Sequence, residues 1–151
     1  MKRRQMVDLE IRAGRTADIE PAISLLRAAG LPAADFSDRF VGNFLVACAG
    51  PSVVGSIALE PLADLGLLRS LVVDPDYRGG GLGRLLVGEL EAHARRNGIS
   101  ELWLLTIDAD RFFLGLGYGL QRREQAPDVI RRTREFSLLC PDDAILMKKR
   151  L

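Results

Sequence analysis

Cysteine, histidine and tryptophan are scarce in this 151-residue chain, at two, one and one copies. Two cysteines, Cys48 and Cys140, cannot build a disulfide framework, so a reducing, cytoplasmic setting is expected. The lone histidine, His93, falls on a helical stripe and is expected to pack there; no metal site is expected. Neither sign of charge is in excess: 21 Lys and Arg against 20 Asp and Glu leave +1, which removes the electrostatic case for a nucleic-acid or membrane-surface partner. No apolar run reaches the roughly 20 residues that span a bilayer. The basic start, Met1-Lys2-Arg3-Arg4-Gln5, leads into no signal core, and residues 1–6 are expected to be disordered. Repeats and low-complexity segments are missing too. What is present, 48% hydrophobic and 27% charged residues, suits one globular domain over 1–151 with a substantial core.

The chain is organised around Leu67–Leu86, LLRSLVVDPDYRGGGLGRLL. Leu67–Val73 is a nearly continuous apolar run, as in a strand buried on both faces. Pro75 stops it, having no N–H for a sheet ladder. A glycine-rich turn follows, and an amphipathic helix begins at Leu82. Such a turn exposes backbone N–H groups beside the positive end of a helix dipole, which suits phosphate. No Lys-Ser or Lys-Thr follows the glycines, so a P-loop is excluded; G-x-G-x-x-G fails at Arg84 or Leu86 depending on where it starts, so a dinucleotide fingerprint is excluded as well. The pattern that fits is R-x-x-G-x-G, as Arg78, Gly81 and Gly83.

In order, Val7–Arg12 alternates as a strand does. Thr16 is the expected cap of a helix with Ile19, Ile23 and Leu26 inward, ended by Gly30. Ala33–Arg39 is expected as a short second helix. Asn43–Ala49 and Val53–Glu60 read as a hairpin about Gly50-Pro51, and Pro61–Gly66 as a connection into the central strand. The helix after the glycine loop presents Leu82, Leu86, Leu90 and Ala94 on one face and closes at Gly98. Glu101–Ile107 is the next strand. Asp108 is the expected cap of a short helix with Phe112, Phe113 and Leu116 inward. Short strands are expected at Gly119–Arg123 and Ala144–Lys149. Between them, Gln125–Pro141 is too long for a hairpin loop, and the stripe Val129, Ile130, Thr133, Phe136 predicts an inserted helix with arginines 131, 132 and 134 on its outer face.

Leu71-x-Val73-x-Pro75 followed by R-x-x-G-x-G resembles motif A of the GNAT superfamily of acetyltransferases, and Ala109-x-x-Phe112-Phe113-x-x-Leu116-Gly117-Tyr118 resembles its motif B. The resemblance implies an α/β fold of the α+β type: a mixed, mostly antiparallel sheet split around an acetyl-CoA cleft and flanked by helices. It implies acetyl-CoA as co-substrate, a small-molecule amine as acceptor and a possible homodimer through the C-terminal strands. The cofactor-binding residues it implies are Leu71, Val72, Val73, Arg78, Gly79, Gly80, Gly81, Leu82, Gly83, Arg84, Thr106, Phe112 and Phe113, with Thr106 standing where an Asn often contacts the CoA arm. The Val73 N–H is the expected donor to the developing oxyanion. The family's frequent tyrosine acid is Phe113 here, and its frequent central-strand glutamate is Arg69. Glu60 is then the candidate base by position, and Tyr118 is read as core.

A narrower resemblance is carried by Ala29-Gly30-Leu31-Pro32, by Leu68-Arg69-Ser70-Leu71 and by Thr133-Arg134-Glu135-Phe136-x-x-Leu139-Cys140-Pro141. These look like the arsenic-resistance N-acetyltransferases, which implies an acceptor with carboxylate and arsinoyl or phosphinoyl groups. Guanidinium forks suit such groups, so Arg69, Ser70, Arg132 and Arg134 are the substrate-side candidates, Arg69 sharing a strand face with Leu71 and Val73. Two other readings stand beside this one: a CoA-binding sensor or partner domain without turnover, and a protein N-acetyltransferase. Like-charge repulsion from an arginine cluster argues against the second.

Overall fold

The valine- and leucine-rich runs pair into one seven-stranded sheet of order β1-β2-β3-β4-β5-β7-β6. The strands are β1 (Leu9–Ala13), β2 (Phe44–Ala49), β3 (Ser52–Leu62), β4 (Leu65–Val73), β5 (Glu101–Thr106), β6 (Gly119–Gln121) and β7 (Ile145–Arg150). The computed structural model describes residues 9–139 and 143–151; Cys140 and the start expected to be disordered lie outside them. Strands β1 to β4 form an antiparallel meander, and β7 runs antiparallel to both β5 and β6. The only parallel pairing in this sheet is β4 with β5, and it lasts three residues, Leu65–Leu67 against Glu101–Trp103. Beyond Leu67 the two strands part. That opening positions everything that follows.

One face of the sheet carries α2 (Leu82–Arg96), whose Leu82, Leu86, Leu90 and Ala94 are buried against Leu59, Leu68, Leu102 and Met147. The short α3 (Asp110–Leu114) joins this core through Phe113. The other face carries α1 (Ile19–Ala28), packed by Ile19, Ile23 and Leu26 with Phe36, Phe40 and Phe44. Beside it lies the insertion between β6 and β7, anchored by Ile130 against Leu67, Trp103 and Leu146.

Several local expectations change. Thr16 caps nothing; the Asp18 carboxylate accepts from the Arg15 N–H at 2.8 Å and pairs with Arg12. In place of the helix expected over Ala33–Arg39 the chain makes only a 3-10 turn, Asp38–Phe40, with Phe36 and Phe40 both in the core. Pro61 belongs to β3 and sits opposite Gly66, so the β3–β4 connection is a two-residue turn. The cap of α3 is Ala109, whose N–H bonds Thr106 Oγ1 at 3.0 Å, rather than Asp108. The inserted helix is two pieces, α4 (Asp128–Arg131) and a π-helical turn over Glu135–Leu139.

Candidate active site

Strand β4 holds the pivot of the site. Ser56 faces Val72 across the β3–β4 ladder while Ala58 faces Arg69, so β4 carries one residue more than its partner. The extra residue is accommodated at Ser70, which takes a left-handed φ of 59°, as a β-bulge requires. Ser56 Oγ donates to the Ser70 carbonyl at 2.9 Å and ties the bulge down. The bulge inverts the alternation of side chains. Arg69 stays with Val72 on the α1 face, whereas Leu71 and Val73 turn toward the α2 core. The expectation that 69, 71 and 73 share a face is therefore wrong, and the cause is this inserted residue.

The backbone follows the same logic. The Asp74 N–H bonds the Val54 carbonyl at 2.8 Å, pointing at β3. Strand geometry then turns the N–H groups of Val73 and Leu71 the opposite way, onto the edge that β5 has left. This open edge borders a groove of about 550 Å³ lined by Leu71, Val72, Val73, Arg78, Gly79, Gly81, Leu82, Gly83, Arg84 and Phe112 among others. At its far end α2 begins, with the N–H groups of its first turn lacking intrahelical acceptors. Gly81 precedes it at φ 89°, and a Cβ built there meets nothing within 4 Å, so the space above the helix start is open. Arg78 donates from Nε to the Val73 carbonyl at 2.9 Å, which leaves its two terminal nitrogens for a phosphate. Of the expected cofactor residues, Gly80 lines neither cavity, and Thr106 and Phe113 line a different one. The Thr106 Oγ1 accepts from the Ala109 N–H at the start of α3, which leaves its O–H to donate.

That other cavity, of about 530 Å³, lies in the opening between β4 and β5 and is walled by Arg69, Ser70, Leu71, Leu104, Thr106, Asp108, Phe113 and Glu135, among others. Leu31, Leu71 and Ala109 belong to both cavities, so the two meet there. Leu71, at the junction, and Val73, in the groove alone, are thus the two outward N–H groups along the shared edge.

Around this cavity the expected arginines do not assemble. Arg132 and Arg134 are exposed and line neither cavity; the break between α4 and the π turn leaves them on the solvent side. Arg69 is wholly buried and already engaged. Its Nη1 donates to Asp35 at 2.9 Å and to Glu60 at 3.0 Å, its Nη2 donates to Asp35, and Glu135 lies 3.7 Å from Nη2. Among the described residues, only Arg69 Nε and the neighbouring Ser70 Oγ are buried side-chain atoms without a partner. Glu60 is committed to Arg69 and lines neither cavity, so it is not placed to serve as the base.

The electrostatics of this cluster follow from burial. Burial opposes ionisation of Asp35, but bonds from Arg69 and Arg39 outweigh it and hold the carboxyl below its usual range. Burial likewise opposes the charge on Arg69, and Glu135, Asp35 and Glu60 more than restore it. For Glu135 burial wins. The carboxyl is pushed up to about 7, with Arg69 pulling it down and Asp35 and Glu60 adding to the rise. Sequence reasoning missed both Asp35 and Glu135. The signal for Glu135 was its apolar flank, Phe136 and the stripe residue Thr133. Tyr118 is core, as expected: its hydroxyl donates to Glu91 at 2.8 Å, and burial beside that carboxylate raises it far above a tyrosine's usual range. His93 packs on α2 with a ring nitrogen 3.1 Å from Asn43 Oδ1.

A sequence model described as the acetyltransferase (GNAT) family matches residues 10–118. The chain belongs to the GNAT family of acetyltransferases. The groove along β4 and α2 has open space, outward N–H groups and two arginines, Arg78 and Arg84, a lining that suits a pyrophosphate with an extended arm. Among curated relatives, the amino-acid acetyltransferase of Azotobacter vinelandii is 35% identical over 92 residues, 60% of this chain and 21% of that protein. An uncharacterized N-acetyltransferase of Chlorobaculum tepidum is 34% identical over 61% of this chain and 59% of its own. The chain thus spans about a fifth of the amino-acid acetyltransferases it matches. Among solved structures, N-acetylglutamate synthase from Neisseria gonorrhoeae, complexed with coenzyme A and N-acetyl-glutamate, superposes with a TM-score of 0.82 at 22% identity, over 95% of this chain and 35% of that one. A Mycobacterium tuberculosis protein in complex with CoA gives 0.78 at 24% identity, over 94% and 99%. Among the described residues no cluster of three or more His, Cys, Asp or Glu side chains suits a metal, and no helix is long and apolar enough to cross a membrane.

Proposed function

We propose that this GNAT enzyme acetylates the primary amine of a small amino-acid-like acceptor. The observation that carries the reading is the junction of the two cavities at Leu71 and Ala109, beside an unpaired strand edge. Arg78, Arg84 and the first turn of α2 hold the donor's pyrophosphate, and the outward N–H groups of Leu71 and Val73 hold its arm. When bound, acetyl-CoA supplies an activated acetyl thioester at that junction. A backbone N–H fixed there stabilises charge developing on the thioester oxygen without reorganising during the reaction. The acceptor enters from the β4–β5 opening, whose wall includes Arg69, Ser70 and Glu135. The curated relatives named as amino-acid acetyltransferases support this acceptor class.

Within that class, the sequence stretches Ala29–Pro32, Leu68–Leu71 and above all Thr133–Pro141 support an amino acid bearing an arsinoyl or phosphinoyl group, and a role in arsenic resistance. The exposure of Arg132 and Arg134 leaves such a group fewer cationic partners than a fork-lined pocket offers, so those stretches carry the narrower reading. The test is calorimetric titration with acetyl-CoA followed by acetylation of a panel: glutamate and other amino acids, phosphinothricin and arsinothricin, serotonin, and lysine peptides. Acetylation of amino acids with kcat/KM at least tenfold above that for serotonin and peptides is the expected result. CoA binding without turnover of any amine would overturn the enzyme reading in favour of a sensor, and a preference for lysine peptides would overturn the acceptor class.

A further inference from the structure

Two carboxylates line the acceptor cavity, and their surroundings differ. Asp108 is exposed to solvent; Glu135 is buried in the wall. We infer that Glu135 takes the proton from the acceptor's ammonium group, with Arg69 as the positioning residue that fixes its carboxylate. The inference rests on the acetyltransferase reading above and deepens it.

Availability singles out Glu135. Asp35 accepts from Arg69 and Arg39, and Glu60 accepts from Arg69. No donor among the described residues bonds the Glu135 oxygens, and Arg69 approaches at 3.7 Å, close enough to orient the group without occupying it. The charged groups that face it are Arg69 from β4, Asp35 from the loop after α1 and Glu60 from β3, with Arg39 behind the latter two. Arg69 is already neutralised by two nearer carboxylates, so two like charges and a buried setting all favour proton uptake at Glu135. A carboxyl brought to about 7 in this way is matched to a base working near neutrality. The other candidates differ: Glu60 lies outside both cavities, Tyr118 is tied to Glu91, and Asp108, though it lines the cavity, is open to solvent.

The step balances simply. An N–H bond of the ammonium breaks and an O–H bond forms on Glu135, leaving the electron pair on nitrogen. That pair forms the new bond to the acetyl carbon. The C–S bond breaks with its pair on sulfur, and the proton that nitrogen then sheds neutralises the thiolate. Glu135 returns its own proton to solvent.

The experiment is the pH profile of kcat/KM for the native chain and Glu135→Gln, with an amine the native chain acetylates. The native profile falls tenfold per pH unit below about 7. Glu135→Gln lowers kcat/KM by roughly 10²- to 10⁴-fold, leaves the acetyl-CoA Kd within twofold, and loses that limb, its residual rate rising with the fraction of free amine. Glu135→Asp keeps the limb at a reduced rate. A second measurement stands apart from turnover: an infrared difference titration, native minus Glu135→Gln, shows a carboxyl band converting to carboxylate near neutrality. Glu135→Gln within threefold of native with an unchanged limb overturns the inference alone, as does a Glu135 carboxyl that stays ionised below pH 5. A native chain that acetylates no amine overturns the acetyltransferase reading, and the inference with it.

Discussion

Arg69 lies with its side chain fully buried between Asp35, Glu60 and Glu135 and over the Phe40 ring, so its first task is to neutralise carboxylates. Removing it leaves the buried Glu135 without a cation and the partly buried Asp35 and Glu60 with Arg39 alone. Arg69→Ala is expected to destabilise the fold by about 3–5 kcal/mol, read as a lowered denaturant midpoint, and Arg69→Lys recovers little because a point charge cannot bridge Asp35 and Glu60 as the fork does. A stability loss under 1 kcal/mol in Arg69→Ala would show that the cluster is not the structural hub described. Glu135 predicts a pH effect of opposite sense. Its carboxyl titrates higher in the folded protein than in the unfolded chain, so its favourable contribution is complete below about 4.5 and is lost as pH rises through about 7. At pH 8 the ionised, buried group costs of the order of 3 kcal/mol. Glu135→Gln should therefore be more stable than native at pH 8 and lose that advantage by pH 5. Equal differences at both values would show that the group titrates normally.

At the scale of elements, the strand–loop–helix unit from β4 to α2 was legible because its constraints are local: Pro75 ends the strand, and Gly79 and Gly81 take φ of 85° and 89°, which glycine adopts freely. Arg78→Ala and Gly81→Val test it. The first removes a charged donor and the second fills the open space above the helix start, so both should weaken CoA binding, by roughly tenfold or more for the lost charge-assisted contact. Normal affinity in both variants would mean that this loop does not hold the pyrophosphate. The bulge in β4 was not legible, because nothing in Leu68-Arg69-Ser70-Leu71 marks the extra residue. Ser70 holds φ 59° without being glycine, and Ser70→Gly should preserve fold and CoA affinity, whereas Ser70→Val should lower stability by about 1–3 kcal/mol as a β-branched residue is forced into that region. Identical melting of the two would place the strain elsewhere.

Across the whole molecule, the acceptor cavity is assembled from the loop after α1, β4, the end of β5 and the insertion, which brings Asp35, Arg69, Asp108 and Glu135 together from distant parts of the chain. Its charge is a property of that assembly: one arginine, neutralised by buried carboxylates, in place of the cluster of arginines that the sequence suggested. The like-charge argument against basic peptides falls with that cluster. The sequence by itself determined the strand–turn–helix order around the glycine loop and the buried stripe of α2, since these rest on short-range periodicity and turn chemistry, while the family and the split sheet were legible through the resemblance to motifs A and B. Only the tertiary structure decided which polar side chains line the cavity between β4 and β5. In one dimension Arg69 read as a substrate ligand, Glu60 as a base and Glu135 as no more than part of the tail motif. Their roles come from which partners the sheet and insertion deliver to them, and a charge's partners are set by packing across the molecule.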